Sequence, residues 1–460
     1  MSEKFNNVYD SEETLFYLSP TSSSEYDDDE LLNKFNNSDS KHYVELIEDS
    51  NSDDSLNNLT NFSSQFYDAS NSFIKSPILK QKSEGFGEGS FCPSITKIGI
   101  NGFGRIGRII CRLLHKRNNY ISKTSNICKV VAINDTKSPE YLAYMLKHDS
   151  VHGKFDGAVF YDDKSITVNG NRILVSNCRE PSKIPWKEMG AEYICECTGV
   201  FNNTKSCSQH ISGGGAKYVI ISSPATDDTP TFVYGVNSSS YNGEKIVSNA
   251  SCTTNCLAPL VYIVNKHFGI EHAMVTTIHA VTGSQNTIDG SVSAKNREKK
   301  NAWKIGRSCM NNIIPSKTGA AVAINKVISG LDGKISAMAF RVPTTNVSVV
   351  DMTCCIRKST NLDNIIDTFS KESYSFVSNL NGVIKVSNDY LVSSDLNGDN
   401  CSCILDKSAS MQLNENFFKL VAWYDNEWSY SCRMIDLVSH ISEYDMNNNT
   451  FKKKNVRFSI

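Results

Sequence analysis

The chain has 460 residues, 47 basic against 49 acidic side chains, 40 % hydrophobic residues and a mean hydropathy of −0.32. At roughly 150 residues per domain it holds two to three domains; a net charge of −2 gives no global signal for binding polyanions, and no apolar run approaches the ~18 residues that span a bilayer, which excludes a membrane-spanning protein. Fifteen cysteines in so long a chain, behind an acidic N-terminus without a basic and then apolar leader, point to reduced thiols in an intracellular compartment, the cytoplasm.

Residues 1–95 carry 18 acids, six lysines and no arginine, a charge of about −12 that leaves roughly +10 on the remainder. Rich in Ser, Asn and Asp and without a sustained period of 3.6 or 2, this stretch cannot bury enough apolar surface to offset chain entropy, so a disordered acidic extension is expected. It is not a transit peptide, which would be Arg-rich and acid-poor. Leu15, Phe16, Tyr17 and Leu18 are either a partner motif or apolar residues scattered in a tail.

From residue 95, β-branched runs alternate with helical stretches: strand 97–100, helix 105–116, strand 130–133, helix 138–147. That alternation predicts parallel βαβ units. Beyond 249, strand-like runs at 273–278, 335–340 and 347–356 with fewer helices between them predict a second, mixed α+β domain. Residues 447–454 read as a short low-complexity tail.

The first strand runs into Gly102-Phe103-Gly104-Arg105-Ile106-Gly107. In such a Gly-x-Gly-x-x-Gly turn, Gly102 permits the tight bend, Gly104 lets the backbone approach a pyrophosphate and Gly107 lets helix and strand pack closely. The helix N-terminus then offers amide donors and partial positive charge to the phosphates. The second strand ends in Asn134-Asp135, where a carboxylate would meet the ribose hydroxyls; the alternative for Asp135 is a helix N-cap. An acid there favours NAD over NADP, although the neighbouring Thr136 leaves NADP use open.

The stretch Ser248-Asn249-Ala250-Ser251-Cys252-Thr253-Thr254-Asn255-Cys256 precedes an apolar helix at 257–264. A cysteine at a helix N-terminus has its thiolate favoured, and the surrounding hydroxyls and amides suit an anion or a developing oxyanion. The alternative is a helix cap with two buried cysteines. Cys256, one turn on, belongs inside the helix face. His279, ending the strand 274–278, is the candidate base or else structural; His267 and His272 read as helix-surface or loop residues, and His115 as helical.

Ten colinear blocks, 101–107, 134–135, 196–201, 220–224, 248–259, 279–290, 312–315, 318–321, 339–350 and 423–428, make the chain resemble the phosphorylating glyceraldehyde-3-phosphate dehydrogenases from about 95 to 444. The resemblance implies a Rossmann-type doubly wound dinucleotide-binding domain at 96–248, completed by a C-terminal helix at 429–442, and an α+β catalytic domain at 249–427. It implies Cys252 as nucleophile and His279 as the base that holds its thiolate as an ion pair. Glyceraldehyde 3-phosphate would be oxidised to a thioester on Cys252 with NAD as hydride acceptor, and inorganic phosphate would release 1,3-bisphosphoglycerate. By motif position, the substrate phosphate meets Thr282 and Arg341. Inorganic phosphate meets Ser251, Thr253, Thr318 and Gly319, with Arg307 nearby. NAD meets Arg105, Ile106, Asp135, Arg179, Thr198, Ser222 and Asn426, besides Gly102, Gly104 and Gly107. The family is a homotetramer in which a loop after His279 reaches a neighbouring subunit's cofactor site. No metal, membrane or primary nucleic-acid partner is implied.

The chain departs from that pattern in a basic loop, 291–302, about seven residues longer than the family's and carrying Lys295, Arg297, Lys299 and Lys300. It is read as a solvated loop, as a change in cofactor affinity or subunit contact, or as a dock for the acidic extension. Ser429 stands for a usual glycine, Lys317 for a small residue and Val322 for a lysine. Erythrose-4-phosphate dehydrogenase, which hydrolyses its thioester, is the rival enzyme. A partner or nucleic-acid role of the extension and basic loop is the rival from another class.

Overall fold

The computed structural model describes residues 95–116, 127–292 and 300–457, without the side chains of 300–302 and 449–457. The acidic extension expected over 1–95 and most of the basic loop 291–302 lie outside the described residues. All that follows belongs to one compact unit.

The first sheet is built from β1 (Ile95–Asn101), β2 (Ile127–Asn134), β3 (Val159–Asp162), β4 (Ser165–Val168), β5 (Asn171–Ser176), β6 (Tyr193–Glu196), β7 (Tyr218–Ile221) and β8 (Ile246–Ser248). Its order is β3-β4-β5-β2-β1-β6-β7-β8, and β5-β2-β1-β6-β7-β8 are parallel. Three helices connect them: α1 (Arg105–His115), α2 (Pro139–Lys147) and α3 (Thr204–Ser212). Ser138 caps α2 by accepting from the Tyr141 amide, with Pro139 at the first helical position, and Asn203 caps α3 likewise. The βαβ expectation holds for the parallel strands. At the far edge β3, β4 and β5 run antiparallel instead, and the turn at Asn169 (φ 48°) and Gly170 (φ 79°) folds β5 straight back on β4.

The second sheet holds β9 (Ile270–His279), β10 (Ile314–Lys317), β11 (Ile335–Arg341), β12 (Ser348–Ile356), β13 (Ile384–Ser387), β14 (Cys403–Asn414) and β15 (Phe417–Tyr424) in the order β10-β11-β9-β12-β15-β14-β13. It is mixed, as expected: β11 runs parallel to β9, and β12 antiparallel to both β9 and β15. Burial alternates strictly along β12, so one sheet face is covered. The cover is α4 (Cys252–Phe268), α5 (Ala320–Val327) and α6 (Leu362–Tyr374), which share one apolar core with the strands.

The last helix, α7 (Trp428–Arg457), starts one residue before the expected 429 and ends well beyond 442, so the segment read as a low-complexity tail is its final turns. Tyr430, Met434, Leu437, Val438 and Ile441 join the core of the first sheet with Ile98, Ile109 and Leu113. Because these strands are parallel, the C-terminal ends of β1, β2 and β6 and the β8-to-α4 junction lie along one edge of the first sheet.

Candidate active site

After β8 the chain must turn sharply into α4, and Ala250 makes that turn at φ 57°. This left-handed conformation costs a non-glycine residue about 1–2 kcal/mol. It is held by two bonds: the Ala250 amide donates to Ser248 Oγ (3.1 Å), and the Tyr430 hydroxyl donates to the Ala250 carbonyl (3.0 Å). Ser251 caps α4 by accepting from the Thr254 amide at 3.0 Å, which makes Cys252 the first helical residue. The cap alternative is therefore true of Ser251, and it is the cap that places Cys252 at the positive end of a 17-residue helix. Cys256 is fully buried in the core, as expected.

Cys252 Sγ lies 3.4 Å from Nε2 of His279, the last residue of β9. Register places Arg341, the end of β11, opposite His279. Arg341 Nη1 is 2.7 Å from His279 Nδ1 and donates to the Ala280 carbonyl at 3.2 Å; that carbonyl is itself 2.7 Å from Nδ1. The Tyr424 ring stands edge-on to the imidazole, 6.0 Å between centroids. Burial raises the Cys252 thiol above its ordinary range against the opposing pull of the Arg341 charge. Burial first, and then Arg341, lower His279 to about 4. Burial thus opposes charge on both groups, while the Arg341 cation favours the thiolate and disfavours the imidazolium.

Thr253 is buried, its hydroxyl 3.0 Å from that of Tyr424, which also lies 2.8 Å from Thr277 Oγ1. Thr318 and Gly319 lead into α5; Thr318 Oγ1 accepts from the Ala320 amide at 3.3 Å, and Gly319 is the cap residue. Thr282 sits in the turn after β9, its amide donating to Gln285 Oε1 at 3.1 Å. Arg307 is exposed and paired with Asp289 at 3.0 Å. That pair clasps the base of the long loop, where the Gly290 amide donates to the Gly306 carbonyl at 2.8 Å; no contact among the described residues joins Arg307 to Cys252. Lys317 lies on the exposed side of β10, opposite to the buried Ile314.

The glycine turn forms the second half of the site. The Gly102 amide donates to the Asn134 carbonyl at 2.8 Å, drawing the β1–α1 turn across β2. A Cβ on Gly107 would stand 2.3 Å from the Gly102 carbonyl oxygen, whereas one on Gly104 would meet nothing within 4 Å. A cavity of about 410 Å³ opens there, lined by Gly104, Asp135, Arg179 and Thr198 among others. Asp135 does not cap α2; its carboxylate accepts from the amides of Phe103 (2.8 Å) and Lys137 (3.1 Å) at the cavity rim. The amides of Arg105 and Ile106 open α1 without intrahelical acceptors. The Arg105 guanidinium, by contrast, is paired with Asp149 (2.7 Å) and Glu427 and does not reach into the cavity. An open glycine, unpaired helix amides and a rim carboxylate fit the phosphates and ribose of NAD.

Several residues of this site escaped the sequence reading. Glu196, buried, accepts from the Thr198 amide and hydroxyl and from Asn101 Nδ2, and so shapes the cavity wall. Behind it, His210 lies 3.1 Å away and accepts from Trp186 Nε1 at 3.0 Å. The Ser222 amide donates to the Glu196 carbonyl at 3.0 Å. Ser348 accepts from the Ala280 amide at 3.0 Å and donates to Asn426 Oδ1 at 2.8 Å, tying the base to the buried Asn426. His272 is not on a helix or loop but exposed on β9, because alternation puts Ala273 and Val275 inward. Ser429 is buried and bonds the Asp425 carbonyl at 2.7 Å, a contact glycine would lack.

Two family profiles match the chain: glyceraldehyde 3-phosphate dehydrogenase, NAD binding domain, over 96–204, and glyceraldehyde 3-phosphate dehydrogenase, C-terminal domain, over 251–426. Among similar proteins, the glyceraldehyde-3-phosphate dehydrogenase of Podospora anserina is 49 % identical over 351 residues, 76 % of this chain and 98 % of its own. Glyceraldehyde-3-phosphate dehydrogenase 1 of Schizosaccharomyces pombe is 49 % identical over 354 residues, 76 % and 99 %. The glyceraldehyde-3-phosphate dehydrogenase of Salmonella typhimurium is 46 % identical over 347 residues, 75 % and 99 %.

Proposed function

Since the chain belongs to the glyceraldehyde 3-phosphate dehydrogenase family, we propose that it oxidises glyceraldehyde 3-phosphate to 1,3-bisphosphoglycerate with NAD and inorganic phosphate, in glycolysis or its reverse. The observation that carries this reading is the 3.4 Å approach of Cys252 Sγ to His279 Nε2 at the N-terminus of α4.

Cys252 Sγ attacks the aldehyde carbon and its proton passes to His279 Nε2, leaving a thiohemiacetal. The α4 N-terminus and the amide of Cys252 face the oxygen on which charge develops. Bound NAD supplies the acceptor for the hydride that leaves this carbon. The resulting thioester on Cys252 is attacked by inorganic phosphate, with Ser251, Thr253, Thr318 and Gly319 orienting the anion. Arg341 and Thr282 hold the substrate's own phosphate; the planar guanidinium suits a bidentate contact. Asp135, Arg179, Thr198, Ser222, Asn426 and the amides of Arg105 and Ile106 position the cofactor.

The reading divides the chain into a cofactor domain at 96–248 closed by α7 and a catalytic domain at 249–427. It makes the enzyme a homotetramer. The outer face of the second sheet supports this, since Met274 (67 % exposed) and Met338 (39 %) project from it beside the partly covered Ile278 and Val349. A cytoplasmic site agrees with the cysteines of the described residues, which are all unpaired thiols; no helix among those residues is long and apolar enough to cross a membrane. The test is steady-state NADH formation from glyceraldehyde 3-phosphate and from erythrose 4-phosphate, each with and without phosphate. Phosphate-dependent turnover of the triose supports the reading, and phosphate-independent turnover of the tetrose replaces it with the hydrolytic enzyme.

A further inference from the structure

Ser348 opens β12, and the strand order β9-β12-β15 places it between the two strands that lead to the base and to Asn426. On one side β9 ends in His279 and runs into Ala280; on the other β15 ends in Tyr424, just before Asp425 and Asn426. Ser348, 1 % exposed, bonds to both sides: its Oγ receives the Ala280 amide at 3.0 Å and lies 2.8 Å from Asn426 Oδ1. The residue before it, Val347, is held at φ 64°, a left-handed conformation that a β-branched residue rarely adopts. Val347 packs with Leu396 and Ile404, and its other neighbour, Asn346, donates to the Asp425 carboxylate at 2.9 Å. The side chains flanking the strained residue thus grip Asp425 and Asn426 in turn.

Hydrogen-bond accounting decides which end of the Asn426 amide faces Ser348. A backbone N–H only donates, so Ala280 takes an Oγ lone pair. The single Ser348 hydroxyl hydrogen then needs an acceptor, and among the described residues the Asn426 side chain is the one other group bonded to this hydroxyl. With Oδ1 toward Ser348, that hydrogen is used. With Nδ2 there, two N–H groups would face one oxygen and a buried O–H would go unpaired, which is costly. Oδ1 is therefore spent, and Asn426, 6 % exposed, keeps Nδ2 as a donor with no partner among the described residues. Resting on the reading that Asn426 meets the nicotinamide carboxamide, we propose that Ser348 is a positioning residue that makes Asn426 a fixed hydrogen-bond donor. The site then selects dinucleotides whose ring substituent presents a carbonyl oxygen. In this role Ser348 acts through Asn426 and not by contact with the cofactor.

The test is calorimetric binding to the full-length protein, without substrate, of NAD, of its 3-acetylpyridine analogue, and of ADP-ribose, which lacks the ring. The acetyl group offers a carbonyl oxygen and no N–H. The analogue is expected to bind the parent within about threefold of NAD; a larger deficit, toward the roughly tenfold of a lost hydrogen bond, overturns the donor assignment. Ser348→Ala is expected to bind NAD and the analogue about three- to tenfold more weakly, because the Asn426 donor is no longer held in place, and to bind ADP-ribose as the parent does. Added to Asn426→Ala, the same change is expected to leave NAD affinity where Asn426→Ala alone puts it. A merely structural serine would weaken ADP-ribose as well, or add its full effect in the double variant. Either result overturns the proposal, as does parental NAD affinity in Ser348→Ala. A parent that binds neither NAD nor ADP-ribose overturns the cofactor reading itself, and the proposal with it.

Discussion

Gly104 and Gly102 lie two residues apart in one turn, yet alanine at each should fail in different ways. At Gly102 the backbone has φ 90°, and a Cβ would lie 2.8–2.9 Å from the Thr198 amide nitrogen and Cα and the Cys197 carbonyl carbon. The left-handed conformation costs alanine about 1–2 kcal/mol, and crowding against backbone adds about 1–3 kcal/mol. Gly102→Ala should therefore lose about 2–5 kcal/mol, a large share of the ~5–15 kcal/mol that holds a typical domain. Gly104 has φ −72° and ψ −157°, which any residue adopts, and a Cβ there meets no atom within 4 Å. Gly104→Ala should keep its stability, or gain up to about 1 kcal/mol through the unfolded chain. Its methyl instead occupies the cavity at the start of α1. If the crowding there is again about 1–3 kcal/mol, NAD binding weakens roughly 5- to 150-fold. Urea unfolding gives the first quantity and KM for NAD the second. A Gly104→Ala protein with parental KM for NAD, or one as destabilised as Gly102→Ala, would refute the placement of the cofactor phosphates at this turn.

Cys252→Ser should fold normally and lose several orders of magnitude in kcat, measured by NADH formation, because a covalent catalyst has been removed. Stability should fall on acidification. His279 titrates at about 4 in the folded chain, against about 6.5 unfolded, so between those values the unfolded chain binds the extra proton. This contributes up to about 3 kcal/mol of loss as pH drops through that window. Burial lowers His115 and His440 as well, which act with the same sign. Urea midpoints at pH 7 and pH 5 should show the loss, and His279→Gln should make it shallower; an unchanged slope in that variant contradicts the buried neutral imidazole. Tyr424→Phe removes the hydroxyl between Thr253 and Thr277 and should cost about 1–3 kcal/mol in urea unfolding while raising KM for inorganic phosphate.

What the sequence disclosed was local. The glycine turn, the capped cysteine and the alternating strands each occupy a few consecutive residues, and their patterns are imposed by backbone geometry. Asn169-Gly170 was equally readable as a hairpin turn, but the surrounding strands of four to six residues gave its alternation little length. The final turns of α7 were hidden because asparagine-rich sequence has weak helix propensity and no apolar stripe. Contacts between distant residues left no trace. Arg105 pairs with Glu427, 322 positions away, and nothing near Arg105 marks its guanidinium as already taken. Glu196 and His210 become a buried pair only once β6 and α3 pack together. The opposite effects of Arg341 on the Cys252 thiol and the His279 imidazole arise only when α4, β9 and β11 bring the three side chains together.

The central claim is that Cys252 carries the substrate carbon through oxidation. Mixing the protein with NAD and glyceraldehyde 3-phosphate in phosphate-free buffer, quenching, and weighing the peptide that contains Cys252 tests it directly. One phosphoglyceroyl group per chain on Cys252, with a matching burst of NADH and discharge on addition of inorganic phosphate, is the expected result. Full NADH production with Cys252 unmodified throughout would contradict it.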